Sequence, residues 1–333
     1  MLMKLNVGVL RGGFSPEYDI SLKSGGQVIA GLPRDKYRPV DILLDKDGTW
    51  HIDGVPTRPE KLKSVVDVVF NNLHGSYGED GLVQQFFDSL DIPYTGSSPL
   101  PSRITYNKAL AKEKFKKMGF LTPVYEIVSL PNKIEEPVQD NFYEIVHAEA
   151  KKVFSKVMPP WVVKPLSSGF STNTYIAKDF NELAAAIANV LYNHDHALVE
   201  QYIKGREMVV GVVDGFRGND QYTLLPLEII KPNDILDYQT RQSGDYHLLP
   251  PMDLNMDKKI ALEEIAAQIH ENFDLRDYSL VDLILSRNGI YILEVDSMPG
   301  FSEHSIFPKA LEHIGADLPQ IFDCVIKNTL ARQ

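Results

Sequence analysis

The apolar residues of this chain follow two alternating patterns. Short apolar runs such as KLNVGVL, RPVDILL and WVVKPL are typical of buried strands. In ISLKSGGQVIAGL and DFNELAAAIANVL the apolar residues instead recur every three or four positions, as they do in amphipathic helices. Over the first hundred residues the two patterns alternate regularly, which predicts a doubly wound parallel α/β domain that closes near Leu100 to Ser102.

The pattern of apolar residues in the remainder of the chain predicts further helices and strands. The segment YNKALAKEKFKKMG is predicted to lie in one helix, Thr105 to Gly119, because a lysine-rich last turn precedes the glycine. A proline-bounded linker follows and contains one amphipathic helix, from about Asn141 to Val157. After several more strands, a polar loop from Lys231 to Leu248 and the helix KKIALEEIAAQIHENF lead into a final hairpin.

That hairpin brings three carboxylates together. In LEVDSMPGFSEHS, Glu294 and Asp296 are one residue apart, so in a strand they point to the same side. The pair Asn288-Gly289 is a strong turn signal, and folding the chain there brings Asp282 close to both acids. Carboxylates without Cys or His favour Mg²⁺, so the hairpin predicts a site for one or two such ions. A solvated acidic strand end is the alternative.

Two lysines and an acidic segment indicate a nucleotide site. Lys164 ends a predicted strand beside the small hydroxyl residues of VVKPLSSGFSTN, whose backbone N–H groups could surround a phosphate. Lys108 is a second candidate cation, although a solvated lysine is the simpler interpretation. The segment EQYIKGRE offers two acids, Glu200 and Glu207, with the apolar Ile203 between them. This mixture suits adenine and ribose, so the segments together suggest a nucleoside triphosphate.

The bulk composition narrows the class of partner. The chain has 333 residues, with 44% hydrophobic and 24% charged content, as expected for a globular protein of two or three domains. Its formal net charge of -11 argues against nucleic acid or an anionic membrane as the main partner. A single cysteine, Cys324, excludes an intramolecular disulfide framework. Because no segment has the length of a signal peptide or membrane span, we expect a cytoplasmic protein.

Five motifs in order resemble those of the D-alanine–D-alanine ligase family of the ATP-grasp superfamily. They are GGFSPEYDISLKSG, LHGSYGEDG, VVKP, VEQYIKGRE and LEVDSMPGFSEHS. The resemblance covers nearly the whole chain and implies an α/β ATP-grasp fold with three lobes. We expect an N-terminal doubly wound α/β domain at 1–102, a small central α+β domain at 103–198 and a C-terminal α+β domain with the metal site at 199–333.

The resemblance also implies roles for individual residues. Phosphate contacts are expected from Lys108 and Lys164, and adenine and ribose contacts from Glu200, Ile203 and Glu207. The metal ligands, for Mg²⁺ or Mn²⁺, are expected to be Asp282, Glu294 and Asp296. The first substrate's ammonium is expected to meet Glu17, with His74 in the same pocket. The second substrate's carboxylate is expected to meet Ser305 and the region of Gly300.

Several positions depart from the family pattern. Leu280 stands where the family has an arginine that stabilises the tetrahedral intermediate. Phe170 replaces the first serine of a Gly-Ser-Ser loop and Ser171 is retained, while Gln242 replaces the substrate-lid tyrosine. Asp296 stands where the third metal ligand is usually asparagine. Arg11, just before the Gly-Gly turn, could supply the missing guanidinium from the opposite domain, and a partly exposed arginine that packs its stem is the alternative.

The activity implied is ATP-dependent ligation of two D-alanines for peptidoglycan. The first carboxylate attacks the γ-phosphoryl of ATP, and the second substrate's amine then displaces phosphate from the acyl phosphate. The expected partners are ATP, D-amino acids and a second copy of the chain in a homodimer. Two alternatives stay open because of the altered positions: a ligase with another amino-acid or hydroxy-acid acceptor, and a degenerate homologue that binds nucleotide without catalysis.

Overall fold

The computed structural model describes residues 4–130, 139–169, 173–232, 236 and 238–332, with the backbone but not the side chains of 139–141, 238 and 242. Three β-sheets organise this part of the chain. They follow one another along the sequence, as three lobes of the ATP-grasp type require.

The first sheet has the strand order β4-β3-β2-β1-β5. Its strands are β1 (Leu5–Gly12), β2 (Tyr37–Leu44), β3 (Trp50–Ile52), β4 (Val55–Thr57) and β5 (Val68–Asn71). As predicted, β1 runs parallel to β2 and β5, but β3 and β4 extend the edge as antiparallel strands. Two helices belong to this region, α1 (Tyr18–Gly31) and α2 (Leu82–Ser89). After α2, a single parallel bridge joins Tyr94 to Val69 of β5.

Two short helices connect the first sheet to the second. They are α3 (Pro99–Tyr106) and α4 (Lys108–Lys117). The prediction of one continuous helix here was wrong, because Asn107 lies in extended conformation and its side chain accepts hydrogen bonds from the N–H groups of Ala109 and Leu110. Such an asparagine N-cap starts a new helix.

The second sheet is antiparallel, with the order β6-β9-β7-β8. Its strands are β6 (Tyr125–Ser129), β7 (Trp161–Pro165), β8 (Tyr175–Ala177) and β9 (His196–Gln201). The helices α5 (Gln139–Lys156) and α6 (Phe180–Asn193) pack beside it, the former near the predicted position. The domain boundary expected after residue 198 falls inside β9, which pairs only with strands of this sheet among the described residues.

The third sheet carries the acidic hairpin. Its order is β13-β12-β10-β14-β15, and β11 pairs with β10. These strands are β10 (Arg206–Asp214), β11 (Gln221–Thr223), β12 (Leu227–Ile230), β13 (His247–Leu249), β14 (Tyr278–Ser286) and β15 (Gly289–Asp296). Four helices accompany them: α7 (Tyr238–Ser243), α8 (Met256–Asn272), α9 (Ile306–Glu312) and α10 (Leu318–Ala331). The segment 231–248, predicted to be a polar loop, therefore contains α7 and the first two residues of β13.

The C-terminal helix α10 belongs physically to the first sheet as well as the third. Phe322 contacts Phe70 of β5 edge to face, with ring centroids 5.4 Å apart, and Phe322 also meets Phe301 at 5.3 Å. All three rings are buried in one apolar cluster that includes residues of both lobes. Burial of aromatic surface between the lobes therefore fixes how they lie relative to each other.

A buried carboxylate also stabilises the contact between the first and third sheets. Asp277 is fully buried and accepts hydrogen bonds from the Gly96 N–H at 2.6 Å and from both terminal nitrogens of Arg332 at 2.6 and 3.0 Å. Burial raises the pKa of Asp277, and the Arg332 guanidinium opposes that rise. Asp277 also has φ 68°, a conformation that Asp and Asn adopt more readily than most residues.

No helix of the described residues is both long and apolar enough to cross a membrane.

The Asp277 contacts generate a stability prediction. Asp277→Asn keeps the size of the side chain and the tolerance of a positive φ. It removes the negative charge that accepts hydrogen bonds from the Arg332 guanidinium and the Gly96 N–H. We expect the free energy of unfolding to fall by about 2 kcal/mol, the usual worth of hydrogen bonds to a charged group. Urea denaturation measures this, with Lys63→Ala as the control because its pair with Asp91 is exposed. Equal stabilities of the two variants would contradict the role given to Asp277.

Candidate active site

The acidic hairpin forms as the Asn-Gly signal predicts. β14 and β15 are antiparallel, with Asp282 opposite Glu294 and Leu280 opposite Asp296. The register shifts between Asp282 and Leu283, so the strand is irregular at the acidic pair. One carboxylate oxygen of Asp282, Oδ1, is buried and has no hydrogen-bond partner among the described residues. The sheet thus presents an unsatisfied anionic oxygen beside a second carboxylate.

A buried cluster of charges lies next to this pair. Glu200 on β9 is ion-paired with Lys164 on β7, at 2.8 Å, and with Lys112 on α4, at 2.9 Å. Glu294 lies 3.7 Å from the Lys164 Nζ and 3.9 Å from the Lys108 Nζ. We call these five residues the lysine–glutamate cluster. It joins α4, the second sheet and the acidic hairpin.

Mutual attraction sets the protonation states in this cluster. Burial alone would raise the pKa of Glu200, but Lys112 and Lys164 lower it to about 2. Burial likewise acts to lower the pKa of Lys164, and the carboxylates of Glu200 and Glu294 outweigh it and raise that pKa. For Lys108, which is also near Lys164, burial prevails and the pKa is lowered. Lys164 and Glu200 are therefore a charged pair even though both are buried.

Lys112 is a cluster member that the sequence analysis missed. Its side chain is fully buried and also donates to the Thr122 hydroxyl at 3.0 Å and to the Leu293 carbonyl at 3.2 Å. A signal was present, because Lys112 follows Lys108 by four residues and so lies on the same face of the helix. Lysines on a polar helix are usually solvated, which is why the pattern alone did not single it out.

Every residue predicted to bind nucleotide lines the larger of two adjoining cavities. It has a volume of about 380 Å³ and is lined by Lys108, Lys164, Glu200, Ile203 and Glu207. Val162, Met208 and Leu293 add apolar wall, which suits the faces of an aromatic base. Glu207 is ion-paired with Lys231, another residue that sequence reasoning missed. We call this space the nucleotide cavity.

The smaller cavity, of about 70 Å³, adjoins the nucleotide cavity at Asp282 and Glu294 of the acidic hairpin. Gly300 and Ser305, both predicted to meet the second substrate, line it together with Asp296 and Leu280. Glu79 lines it too and was not anticipated, although it belongs to the quoted motif LHGSYGEDG. We call this space the substrate cavity.

Two predicted residues are buried beside the substrate cavity. His74 contacts Glu79 through Nδ1 at 3.1 Å and the Ser24 hydroxyl through Nε2 at 3.3 Å, while the Gly169 N–H donates to Glu17 at 3.3 Å. Burial lowers the pKa of His74 to about 4, so the ring is neutral at physiological pH. Burial and the nearby Glu17 raise the pKa of Glu79 to about 8. This side of the cavity is acidic and suits an ammonium group.

Asp282, Asp296 and Glu79 differ from Glu200 because none of them forms an ion pair with a lysine among the described residues. Burial raises the pKa of Asp282 to about 7, with Glu294 adding to the rise and Arg241 opposing it. Burial also raises the pKa of Asp296 to about 7, with a further rise from Glu79. Such shifts mark carboxylates for which a bound cation would relieve mutual repulsion.

Other predicted residues are placed differently. Ser171 and the neighbouring Phe170 lie outside the described residues, and of Gln242 only the backbone, in α7, is described. Arg11 lines neither cavity: its Nε and Nη2 each donate to Asp41 on the adjacent strand β2, at 2.7 Å. The contacts of Arg11 therefore do not support its predicted role in stabilising the intermediate, because its guanidinium is already paired with Asp41 within the first sheet.

The two cavities meet at a small set of residues. Those that line both are Lys108, Ser168, Arg241, Asp282 and Glu294. We call this set the junction. A group passed from a ligand in one cavity to a ligand in the other must cross it, and its charges, two cationic and two acidic side chains, suit a phosphoryl group and a divalent cation.

Comparison with known families agrees with this arrangement. The sequence profile described as D-ala D-ala ligase C-terminus matches residues 132–327, and that described as D-ala D-ala ligase N-terminus matches residues 6–65 and 53–97. The chain belongs to the D-alanine–D-alanine ligase family. Members of this family are ATP-dependent carboxylate–amine ligases.

Full-length relatives support the same assignment. The D-alanine–D-alanine ligase of Desulforamulus reducens is 32% identical over 332 residues, covering 98% of this chain and 99% of the relative. That of Aquifex aeolicus is 32% identical over 326 residues, covering 97% and 100% respectively. Each therefore matches all three sheets.

Solved structures confirm the ATP-grasp fold. The D-alanine–D-alanine ligase of Bacillus anthracis complexed with ATP superimposes with a TM-score of 0.76 at 25% identity, covering 98% of each chain. The VanG D-Ala:D-Ser ligase of Enterococcus faecalis gives a TM-score of 0.79 at 24% identity, covering 98% of this chain and 100% of its own. The second likeness concerns the fold alone.

The lysine–glutamate cluster generates a second stability prediction. Lys112→Met preserves the length of the side chain but leaves one oxygen of the buried Glu200 without its partner. We expect a loss of about 3 kcal/mol in the free energy of unfolding, as is usual when one partner of a buried pair is removed. The matched control is Lys116→Met on the same helix, whose pair with Glu113 is exposed and should contribute less than about 1 kcal/mol. Similar urea midpoints for both variants would refute the role of Lys112.

Proposed function

We propose that this protein ligates two D-alanine molecules with cleavage of ATP to ADP and phosphate. The observation that carries the proposal is the junction, where a nucleotide-sized cavity and a small acidic cavity share two cations and two carboxylates. This layout suits transfer of the γ-phosphoryl to a carboxylate held on the other side. Membership of the ligase family supports the same chemistry.

In the proposed reaction, the first D-alanine places its ammonium toward Glu17 and Glu79. Its carboxylate oxygen attacks the γ-phosphorus, so that a C–O–P linkage forms as the bond between γ-phosphorus and ADP breaks. The amine of the second D-alanine then attacks the acyl carbon, the C–N bond forms, and the C–O bond to phosphate breaks. The surplus proton of the amine leaves with the phosphate or to solvent. The second carboxylate is held near Ser305 and Gly300.

The junction fits Mg²⁺ or Mn²⁺. Among the described residues no three Asp, Glu, His or Cys side chains form a ready metal cluster. Mg²⁺ nonetheless commonly binds through one or two carboxylates together with substrate phosphates and water. The unsatisfied Oδ1 of Asp282 and the opposing Glu294 match that pattern, with Asp296 as a further proposed ligand. When bound, the ion would neutralise charge on the phosphate oxygens.

A different acceptor is the second candidate. The volume of about 70 Å³ favours a small acceptor, in keeping with D-alanine. Leu280, however, makes one wall of that cavity apolar, and another amino acid or a hydroxy acid would meet that wall in the acceptor position. We propose D-alanine as the acceptor and treat the others as outcomes of the assay below.

The cellular setting is proposed from the family and the composition. A D-alanyl-D-alanine product places the enzyme in peptidoglycan precursor synthesis, where it uses ATP in the cytoplasm. We also propose a homodimer. We propose three domains, based on the expected 1–102, 103–198 and 199–333, and place the second boundary after residue 201 so that β9 stays in the central domain. Sedimentation analysis tests the dimer, and limited proteolysis tests the boundaries.

The activity is tested by measuring ADP release and identifying the product with a panel of D- and L-amino acids and D-lactate. We expect ADP release that depends on D-alanine, with D-alanyl-D-alanine as the product. A mixed product formed in preference to it would identify another acceptor. Nucleotide binding without ADP release under any condition would mean that the protein is a degenerate homologue.

The metal assignment generates a further prediction. Glu294→Gln keeps the shape of the side chain but removes its charge at the junction. We expect ADP release at saturating Mg²⁺ to fall at least about a hundredfold, because loss of metal-assisted charge stabilisation is worth several kcal/mol. Titration of the rate with Mg²⁺ measures this, with Glu264→Gln on the exposed face of α8 as the control. An unchanged Mg²⁺ dependence would remove Glu294 from the metal site.

A further inference from the structure

Arg241 is the junction residue for which sequence reasoning assigned no function. It lies in α7, in the segment predicted to be a polar loop, and lines both the nucleotide cavity and the substrate cavity. Its Nε is buried and has no hydrogen-bond partner within the described part of the chain. A buried, unsatisfied guanidinium N–H that borders two cavities indicates a donor arranged for a ligand.

The neighbouring cations are engaged elsewhere. Lys164 is paired with Glu200, and Lys108 donates to the Ser168 carbonyl at 2.5 Å while lying 3.9 Å from Glu294. No carboxylate lies within 4.0 Å of Arg241 in the described ranges, which leave out parts of the same segment. Of the cations at the junction, Arg241 therefore has the donors available for an incoming oxygen.

The hairpin wall facing the substrate cavity cannot supply this charge. Leu280 lines that cavity directly opposite Asp296 in the strand register, and neither residue lines the nucleotide cavity. Negative charge that develops on an acyl oxygen there would meet an apolar side chain and a carboxylate. A donor has to come from another element, and α7 provides one.

Contacts with the loop 297–305, which we call the substrate loop, and with α9 hold the segment that follows α7 in place. The Tyr246 hydroxyl donates to the His304 carbonyl, and the Lys309 Nζ lies 3.9 Å from the centroid of the Tyr246 ring. At Gly244 an added Cβ would lie 2.8 Å from the His304 ring, so the segment after α7 packs closely on this loop. His304 itself lines the substrate cavity. The position of Arg241 is thus coupled to the loop that is proposed to bind the acceptor.

We propose that Arg241 is a catalytic residue that stabilises the tetrahedral intermediate of the second half-reaction. The inference rests on the proposed ligase function. As the acceptor nitrogen bonds to the acyl carbon, the carbonyl electron pair moves onto oxygen. The guanidinium of Arg241 donates to this oxyanion and to an oxygen of the departing phosphate. When the C–O bond to phosphate breaks, the electron pair returns to re-form the carbonyl.

The planar fork of arginine suits this task better than a lysine. Two parallel N–H donors can bind one oxygen on carbon and one on phosphorus at the same time, whereas an ammonium acts as a point charge. Oxyanion donors of this kind typically contribute about a hundredfold or more in rate. The contribution is realised in the second step, so the first step and ATP binding are expected to depend less on Arg241.

The test separates the two half-reactions in the full-length enzyme. Positional isotope exchange in β-γ-bridge-labelled ATP, with D-alanine present, follows reversible acyl-phosphate formation, and dipeptide release follows the whole reaction. For Arg241→Met we expect dipeptide formation to fall about a hundredfold or more in kcat, with isotope exchange and ATP affinity within about threefold of the wild type. Arg241→Lys should retain activity between the two.

The control is Arg287→Met, an exposed arginine at the tip of the acidic hairpin, which should leave every rate unchanged. Thermal unfolding checks that each variant is folded, and Arg241→Lys serves if the methionine variant is not. Equal loss of exchange and dipeptide formation would assign Arg241 to phosphoryl transfer and overturn the inference, as would dipeptide formation within threefold of the wild type. Absence of D-alanine-dependent exchange in the wild type would overturn the proposed function and this inference together.

Discussion

The sharing of Glu200 between Lys112 and Lys164 is the interaction on which the site depends. A buried carboxylate can remain charged only beside cations, and here the cations come from two separate elements, α4 and β7. Lys112 additionally donates to the Leu293 carbonyl of β15, so the same contact fixes the acidic hairpin against the second sheet. The walls of the nucleotide cavity are thus held together by charge pairing as well as by apolar packing.

The hairpin was predictable because its determinants are local. Asn288-Gly289 sets the turn, and the period of the strand then places Asp282 opposite Glu294 without reference to the rest of the chain. Short local patterns likewise identified the strand WVVKPL with Lys164 and the segment EQYIKGRE with Glu200 and Glu207. Residues that belong to regular elements and short motifs were therefore within reach of the sequence.

Contacts between distant segments were not predictable in this way. Asp41 pairs with Arg11 because β1 and β2 are neighbours in a parallel sheet, and nothing near Arg11 in the sequence indicates that partner. Arg241 was overlooked because its helix has only six residues, too few for an apolar period to stand out. The break between α3 and α4 was missed because one capping asparagine outweighed a continuous helical pattern.

The packing of α10 on β5 has a consequence for synthesis of the chain on the ribosome. Phe70 emerges early, whereas Phe322, which covers it, is made only after the second and third sheets. At translation rates of about 5–20 residues per second, the first sheet keeps an apolar face exposed for on the order of ten seconds or more. The N-terminal lobe therefore has to wait for the far end of the sequence before its core is complete. During that interval the uncovered aromatic surface makes the nascent chain prone to aggregation.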